Sequence, residues 1–190
     1  MTDIQIDIIM ISEDQNICIA IQSQRQEDSI MNKPYITRLH VVLEILALLL
    51  CIASLVLAVL YALNSDGPVP TNYDFKGNVT GWGSPWAALI MPIAALAVVI
   101  ADALVLHLVP ASSWNTGFKV RPAKANAVYR EIGLMVVLLS VEFALFALAF
   151  TVFLTLSKAD LFGSAAILLA VVMTVTIILT LVRAGRKNKY

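Results

Sequence analysis

Glu44, Asp102, His107 and Glu142 stand in stretches that are otherwise almost wholly apolar. An acid at the centre of a membrane-buried helix costs about 2.5–3.5 kcal/mol on insertion scales, so each needs a partner or a use. Carboxyl and imidazole groups bind and release protons, and carboxylates hold cations. One chemistry is therefore a proton or cation path. Another is a polar switch that passes inward the state of a ligand bound outside. The plain structural alternative is that these groups hydrogen-bond to Ser, Thr and backbone groups of neighbouring helices, or stand protonated, because apolar burial favours a neutral carboxyl. Asp102 and His107 are five residues apart, about 140° around a helix, and are not an obvious pair. Glu44, in the first turn of its run, is placed to snorkel to the surface.

The elements that carry these groups are long. The chain has 190 residues, of which 59% are hydrophobic and 14% charged, against roughly 45–50% and about 25% in a soluble domain. Its mean hydropathy is +0.84. Apolar runs at about 41–63, 86–109, 132–156 and 161–182 each reach the ~20 residues needed to cross a bilayer. The fold class expected is all-α: an integral membrane bundle of four transmembrane helices. On this spacing Asp102 lies about 10 Å from the inner end of the second helix and Glu142 about 15 Å into the third, near the midplane.

Orientation follows from the basic residues. Lys119, Arg121, Lys124 and Arg130 fall between the second and third runs, and Arg183, Arg186, Lys187 and Lys189 follow the fourth. Lys33 and Arg38 precede the first, whereas the other two loops hold only Lys76 and Lys158. Basic flanks stay cytoplasmic, so both termini are expected inside (N-in/C-in) and loop 64–85 outside. The basic tail serves either as an orienting flank or as a contact for anionic lipid headgroups. Ser140, Ala144, Ala147 and Thr151 form a small-residue stripe on the third helix, and Ala94, Ala97 and Ala101 form one on the second; such stripes let backbones approach closely in lipid. Glu142 lies on the far side of the third helix from its stripe. That helix is therefore expected either to be central or to face a partner chain.

Residues 1–30 have a different character. IQIDIIMI and NICIAIQ alternate in the manner of short strands, and six acids oppose a single base, Arg25. The basic start and cleavage site of a signal peptide are missing. Met31 opens MNKPYITRLH, a short basic lead into a helix. The expectation is that Met31 is the natural start and 1–30 arise from an upstream start codon; the rival is a small cytoplasmic hairpin. The membrane domain is then 31–190. Cys18 and Cys51 frame no disulfide or metal site, and Cys51 reads as a packing residue.

The most patterned segment is PVPTNYDFKGNVTGWGSPW, 68–86. Pro68 and Pro70 stop the helix and favour an extended chain. Gly77, Gly81 and Gly83 permit tight turns, Trp82 and Trp86 suit a membrane interface, and Pro85 is placed to start the next helix. Either this is a well-made re-entry turn or a ligand site built from Pro70, Asn72, Tyr73, Gly77, Gly81, Trp82, Gly83, Ser84 and Trp86. The segment resembles the membrane domain of unknown function that begins the bacterial SdpI-type proteins, through Pro70, Tyr73, Gly77, Gly81, Trp82, Gly83 and Ser84. It departs from that pattern at Asn72, Thr80 and Pro85, where the family usually has His, Asp and Lys; the loop thus lacks the family's titratable histidine. The resemblance implies a multi-pass protein of the bacterial cytoplasmic membrane, of receptor or toxin-immunity type.

Three functions stay open: a receptor or immunity protein whose outer loop meets a peptide or envelope ligand, a small ion- or proton-coupled transporter or channel using Glu142 and Asp102, and a structural accessory subunit. Enzyme activity is not expected, because the helix Ser and Thr residues lack a base and His40 and His107 lack ligand spacing. No cofactor, metal or nucleic acid is expected. The partners expected are the lipid bilayer, an extracellular peptide or envelope ligand, and a membrane or cytoplasmic partner protein.

Overall fold

The computed structural model describes residues 33–74 and 76–189, so the expectations for 1–30 lie outside the described residues. Tyr35–Tyr190 forms one compact unit. Its long helices are α1 (Arg38–Leu63), α2 (Ile90–Leu108), α3 (Ala125–Thr155) and α4 (Phe162–Lys189). All four, α2 with its 3-10 lead Pro85–Leu89, are long and apolar enough to cross a membrane. The protein is an all-α bundle by class and a multi-pass membrane protein by the length and composition of its helices. Two helices outrun their apolar stretches. α3 begins at Ala125, ahead of its apolar run, and α4 continues through the basic tail to Lys189, because Lys and Arg are good helix formers. At 31 residues α3 is about 46 Å long, well beyond the ~30 Å hydrocarbon core.

Helix α3 is the central one and packs on α1, α2 and α4. Its stripe Ser140, Ala144, Ala147 and Thr151 is fully buried, and meets Ala47 and Cys51 of α1 with Ala95 and Val99 of α2. The second stripe expected from the sequence is corrected. Ala94, Ala97 and Ala101 are exposed, and α2 packs through Pro92, Ala95, Val99 and Leu106, a face offset by one residue. Alanine is apolar enough for lipid or core, so small size alone does not select the buried face. α4 is peripheral: only 6% of its apolar span is buried.

Polar groups staple the bundle. The hydroxyls of Ser54 and Thr151 lie 2.9 Å apart, at 3.0 and 2.9 Å from the Ala147 carbonyl. Near the start of α1, His40 is buried. Its Nδ1 accepts from the Thr37 backbone N–H (3.2 Å) and lies 2.7 Å from the Thr37 hydroxyl. That leaves Nε2 as the protonated nitrogen, donating to the Arg130 carbonyl of α3 at 3.1 Å. Helix α1 is thereby capped and tied to α3 by one neutral imidazole. Gly133 makes the approach possible, since a Cβ there would lie 3.2 Å from His40 Nε2 and 3.1 Å from Leu106 Cδ1.

At the same end, Lys187 of α4 donates to Glu131 of α3. Asn188 accepts from the Arg121 N–H (2.9 Å) and donates to the Lys119 carbonyl (3.0 Å). These contacts join the α2–α3 loop and the end of α4 into one basic end of the molecule. His40→Ala removes the cap and the α1–α3 hydrogen bond together, and is expected to destabilise the bundle by about 2 kcal/mol. Reversible unfolding in mixed detergent micelles reads this directly.

Candidate functional site

At the end opposite the basic loop, the patterned segment folds as an antiparallel hairpin, β1 (Val69–Tyr73) and β2 (Val79–Gly83). Val69 pairs with Gly83, Pro70 with Trp82, Asn72 with Gly81 and Tyr73 with Val79, with irregular steps around Asn72. The glycines are steric requirements of this pairing. A Cβ on Gly81 would lie 2.7 Å from Asn72 Nδ2, and one on Gly83 would lie 2.8 Å from Thr71 Cγ2. Gly77 takes a φ of 82° in the turn, a left-handed conformation natural to glycine.

Asp74 organises that turn. Its Oδ1 accepts from the Lys76 and Asn78 backbone N–H groups at 2.8 and 2.9 Å, and its Oδ2 accepts from the Asn78 side-chain amide at 2.8 Å. The Asn78 amide and these backbone donors hold the carboxyl below its usual range, because each bond favours the charged form. Ser84 caps the following 3-10 helix, accepting from Trp86 N–H at 3.4 Å.

The hairpin rests on an aromatic cluster that ties it to α3 and α4. Tyr73 meets Phe162 edge-on at 4.9 Å, and Phe162 stacks on Phe150 at 4.5 Å. Burial pushes the Tyr73 phenol up, helped by the neighbouring Tyr61. A cleft of about 660 Å³ opens between β1 (Thr71, Asn72, Tyr73) and Phe146, Phe150 and Phe162, with Ala166 and Ala170 of α4 along its wall. A second cleft of about 290 Å³ lies on the α2 side, between Pro70–Tyr73 and Ala87, Met91 and Phe150. Both are within or close to the volume range of small-ligand sites, and both are mostly apolar with a few polar groups at the rim.

Of the loop residues singled out in the sequence, Pro70, Asn72 and Tyr73 come together at these clefts. Gly77, Gly81, Gly83 and Ser84 shape the hairpin and its exit. Trp82 and Trp86 line neither cleft and stand 66% and 51% exposed, as interface anchors would. Phe146, Phe150 and Phe162 were not foreseen. The i, i+4 spacing of Phe146 and Phe150 was the available signal, since such pairs share one helix face.

The intramembrane polar residues do not gather into one site. His107 Nε2 lies 3.0 Å from both oxygens of Glu44, so the acid expected to snorkel pairs across α1 and α2. Asp102 accepts from Ser140 at 2.6 Å, and His107 and Asp102 go to different partners. Glu142 accepts from Thr176 of α4 through Oε1, while its Oε2 is buried without a hydrogen-bond partner. An unsatisfied buried polar atom costs about 1–3 kcal/mol. Between Asp102–Ser140 and the hairpin end, the α1–α2–α3 interface is filled by Ala47, Cys51, Ala95, Ala144 and Ala147.

A family model for a domain of unknown function, DUF1648, matches residues 49–96, about a quarter of the chain, from within α1 through the hairpin into α2. No curated protein and no solved structure matches the chain.

Gly83→Ala is expected to loosen the hairpin by about 1 kcal/mol, seen as a roughly fivefold faster tryptic cut at Lys76. Gly81→Ala should do less, because it displaces only the movable end of Asn72. The pH response follows from Asp74. Its folded carboxyl titrates below the unfolded one, so its contribution is present above the unfolded range and disappears as pH falls through the folded one. Exchange protection of the Asn78 amide should therefore hold at neutral pH and decline below about pH 4; in Asp74→Ala it should be weak at both.

Proposed function

We propose that this is a receptor- or immunity-type membrane protein of the kind the SdpI-type resemblance implies, in the bacterial cytoplasmic membrane. The basic end faces the cytoplasm in this reading and the hairpin faces out. The carrying observation is the 660 Å³ cleft. It is where the hairpin, which lies inside the DUF1648 match, meets α3 and α4, which lie outside it. A ligand there touches β1 and the hairpin ends of two helices at once. An apolar or aromatic side chain of an envelope-active peptide fits its Phe-lined wall, and the exposed edge of Asn72 and Asp74 offers polar contacts to a peptide backbone.

A route inward exists in the same helices. α3 runs from this cleft to the Glu131–Lys187 pair and the Arg130–His40 bond at the basic end. A ligand that favours one setting of the α3–α4 contact would bias that end by its differential affinity for the two settings. The packed alanine layer between α1, α2 and α3 favours this reading over a pore through those three helices. No reaction is assigned to the protein.

The test uses a deletion strain challenged with secreted peptide toxins and envelope-active compounds. It carries wild type, Ala166→Trp, which fills the cleft, or Trp82→Ala, which leaves it open. Protection lost in Ala166→Trp and kept in Trp82→Ala, at equal membrane levels, is the expected result. Equal survival of all strains, the empty one included, would remove the reading.

A further inference from the structure

At the basic end, the α2–α3 loop and the end of α4 are clamped together in a way that gathers cations. Asn188 accepts from the Arg121 N–H at 2.9 Å and donates to the Lys119 carbonyl at 3.0 Å. Arg121 Nη1 also donates to the Lys189 carbonyl at 3.3 Å. Beneath this clamp, Phe118 and Val120 are half-buried against Val128, Ile132 and Ala184. The alternation leaves Lys119 and Arg121 exposed, and Lys189 is exposed as well. On α4, Gly185 falls between Asn188 and Lys189 around the helix. A Cβ there would meet nothing within 4 Å, so the helix surface between those two residues is open. Among the described residues the ion pairs are Glu44–His107 and Glu131–Lys187, so no carboxylate there answers Lys119, Arg121 or Lys189. Gathered like charges repel, and an anion among them removes the repulsion.

We infer that Lys119, Arg121 and Lys189 form a binding site for the headgroup phosphate of an anionic phospholipid. Charge selects the phosphate. A guanidinium presents paired N–H donors to phosphate oxygens, and the two ammonium groups add point charges beside it. Depth selects the lipid. The apolar run of α4 ends at 182, and Phe118 and Val120 pack at the level of Ala184. The cations therefore emerge within about one helical turn of the hydrocarbon boundary, in the headgroup layer. At that depth the nearest phosphates are those of the bilayer itself. Arg183 and Arg186 follow the same apolar run, but lie about 140° and 160° around α4 from Asn188 and face away from the clamp. They separate the effect of a built site from that of charge alone. This inference does not depend on which side of the membrane the basic end faces, on the hairpin cleft or on the immunity reading.

The test is native mass spectrometry of the full chain in non-ionic detergent, titrated with phosphatidylglycerol or with phosphatidylcholine of identical acyl chains. Phosphatidylglycerol is expected to be held about tenfold more tightly than phosphatidylcholine. Lys119→Gln and Arg121→Gln should each weaken its binding about fivefold, the worth of one basic residue at a charged surface. Arg183→Gln, which removes the same charge from the other face of α4, should leave it unchanged. Asn188→Ala, which keeps every charge but opens the clamp, should weaken it. Glycerol phosphate, the headgroup without its chains, should not displace the lipid at equal concentration. Equal retention of the two lipids, an equal loss in Arg183→Gln and Arg121→Gln, unchanged binding in Asn188→Ala, or displacement by glycerol phosphate would each overturn the proposal.

Discussion

The close approach of α3 to α1 and α2 is the constraint on which the rest of the structure depends. In lipid, apolar side chains gain nothing from leaving an apolar solvent, so helices associate through dispersion contacts and a few polar bonds. Both require backbones to come near each other. Ala144 and Ala147 facing Ala47, Cys51 and Ala95 allow that, and the proximity then brings Ser54 to Thr151 and Asp102 to Ser140. Larger residues on the stripe would separate the helices and strand those hydroxyls and the carboxyl in hydrocarbon. The polar pairs follow from the small residues.

With one face of α3 committed in this way, its opposite face is left for α4, and the character of that contact differs. Aromatic stacking holds the hairpin end and an ion pair holds the basic end. The middle carries a single hydrogen bond to an acid beside open space. α4 is thus joined to α3 at both ends and, through Thr176 and Glu142, between them.

The hairpin shows how local chemistry and tertiary packing divide the work. Its turn closes through Asp74, Gly77 and Asn78, all within five residues, so the bonds that shape it are local. Its placement depends on Tyr73 reaching Phe162, a residue far along the chain on a helix outside the DUF1648 match. The clefts exist because both conditions hold: the turn keeps β1 extended, and the aromatic cluster lays that strand over the helix ends.

The sequence by itself determined the class and the order of the elements. Four apolar runs of bilayer length have one economical outcome, because an unsatisfied backbone in hydrocarbon is excluded. Pro, Gly and Asp in 68–86 dictate a tight structured turn for equally local reasons. The buried stripe on α3 was legible too, since its Ser and Thr members mark a polar face that lipid disfavours. On α2 the alanine stripe was misleading, because an alanine face reads the same toward lipid as toward protein. Partner choice was decided only by tertiary structure. That Glu44 meets His107, that Glu131 meets Lys187, and that Glu142 is left with one free oxygen beside a cleft all depend on the rotation and separation of helices about their axes. A helix of nearly uniform hydrophobicity fixes its own length and leaves its rotation to its neighbours, so these sites could arise only from the assembled bundle.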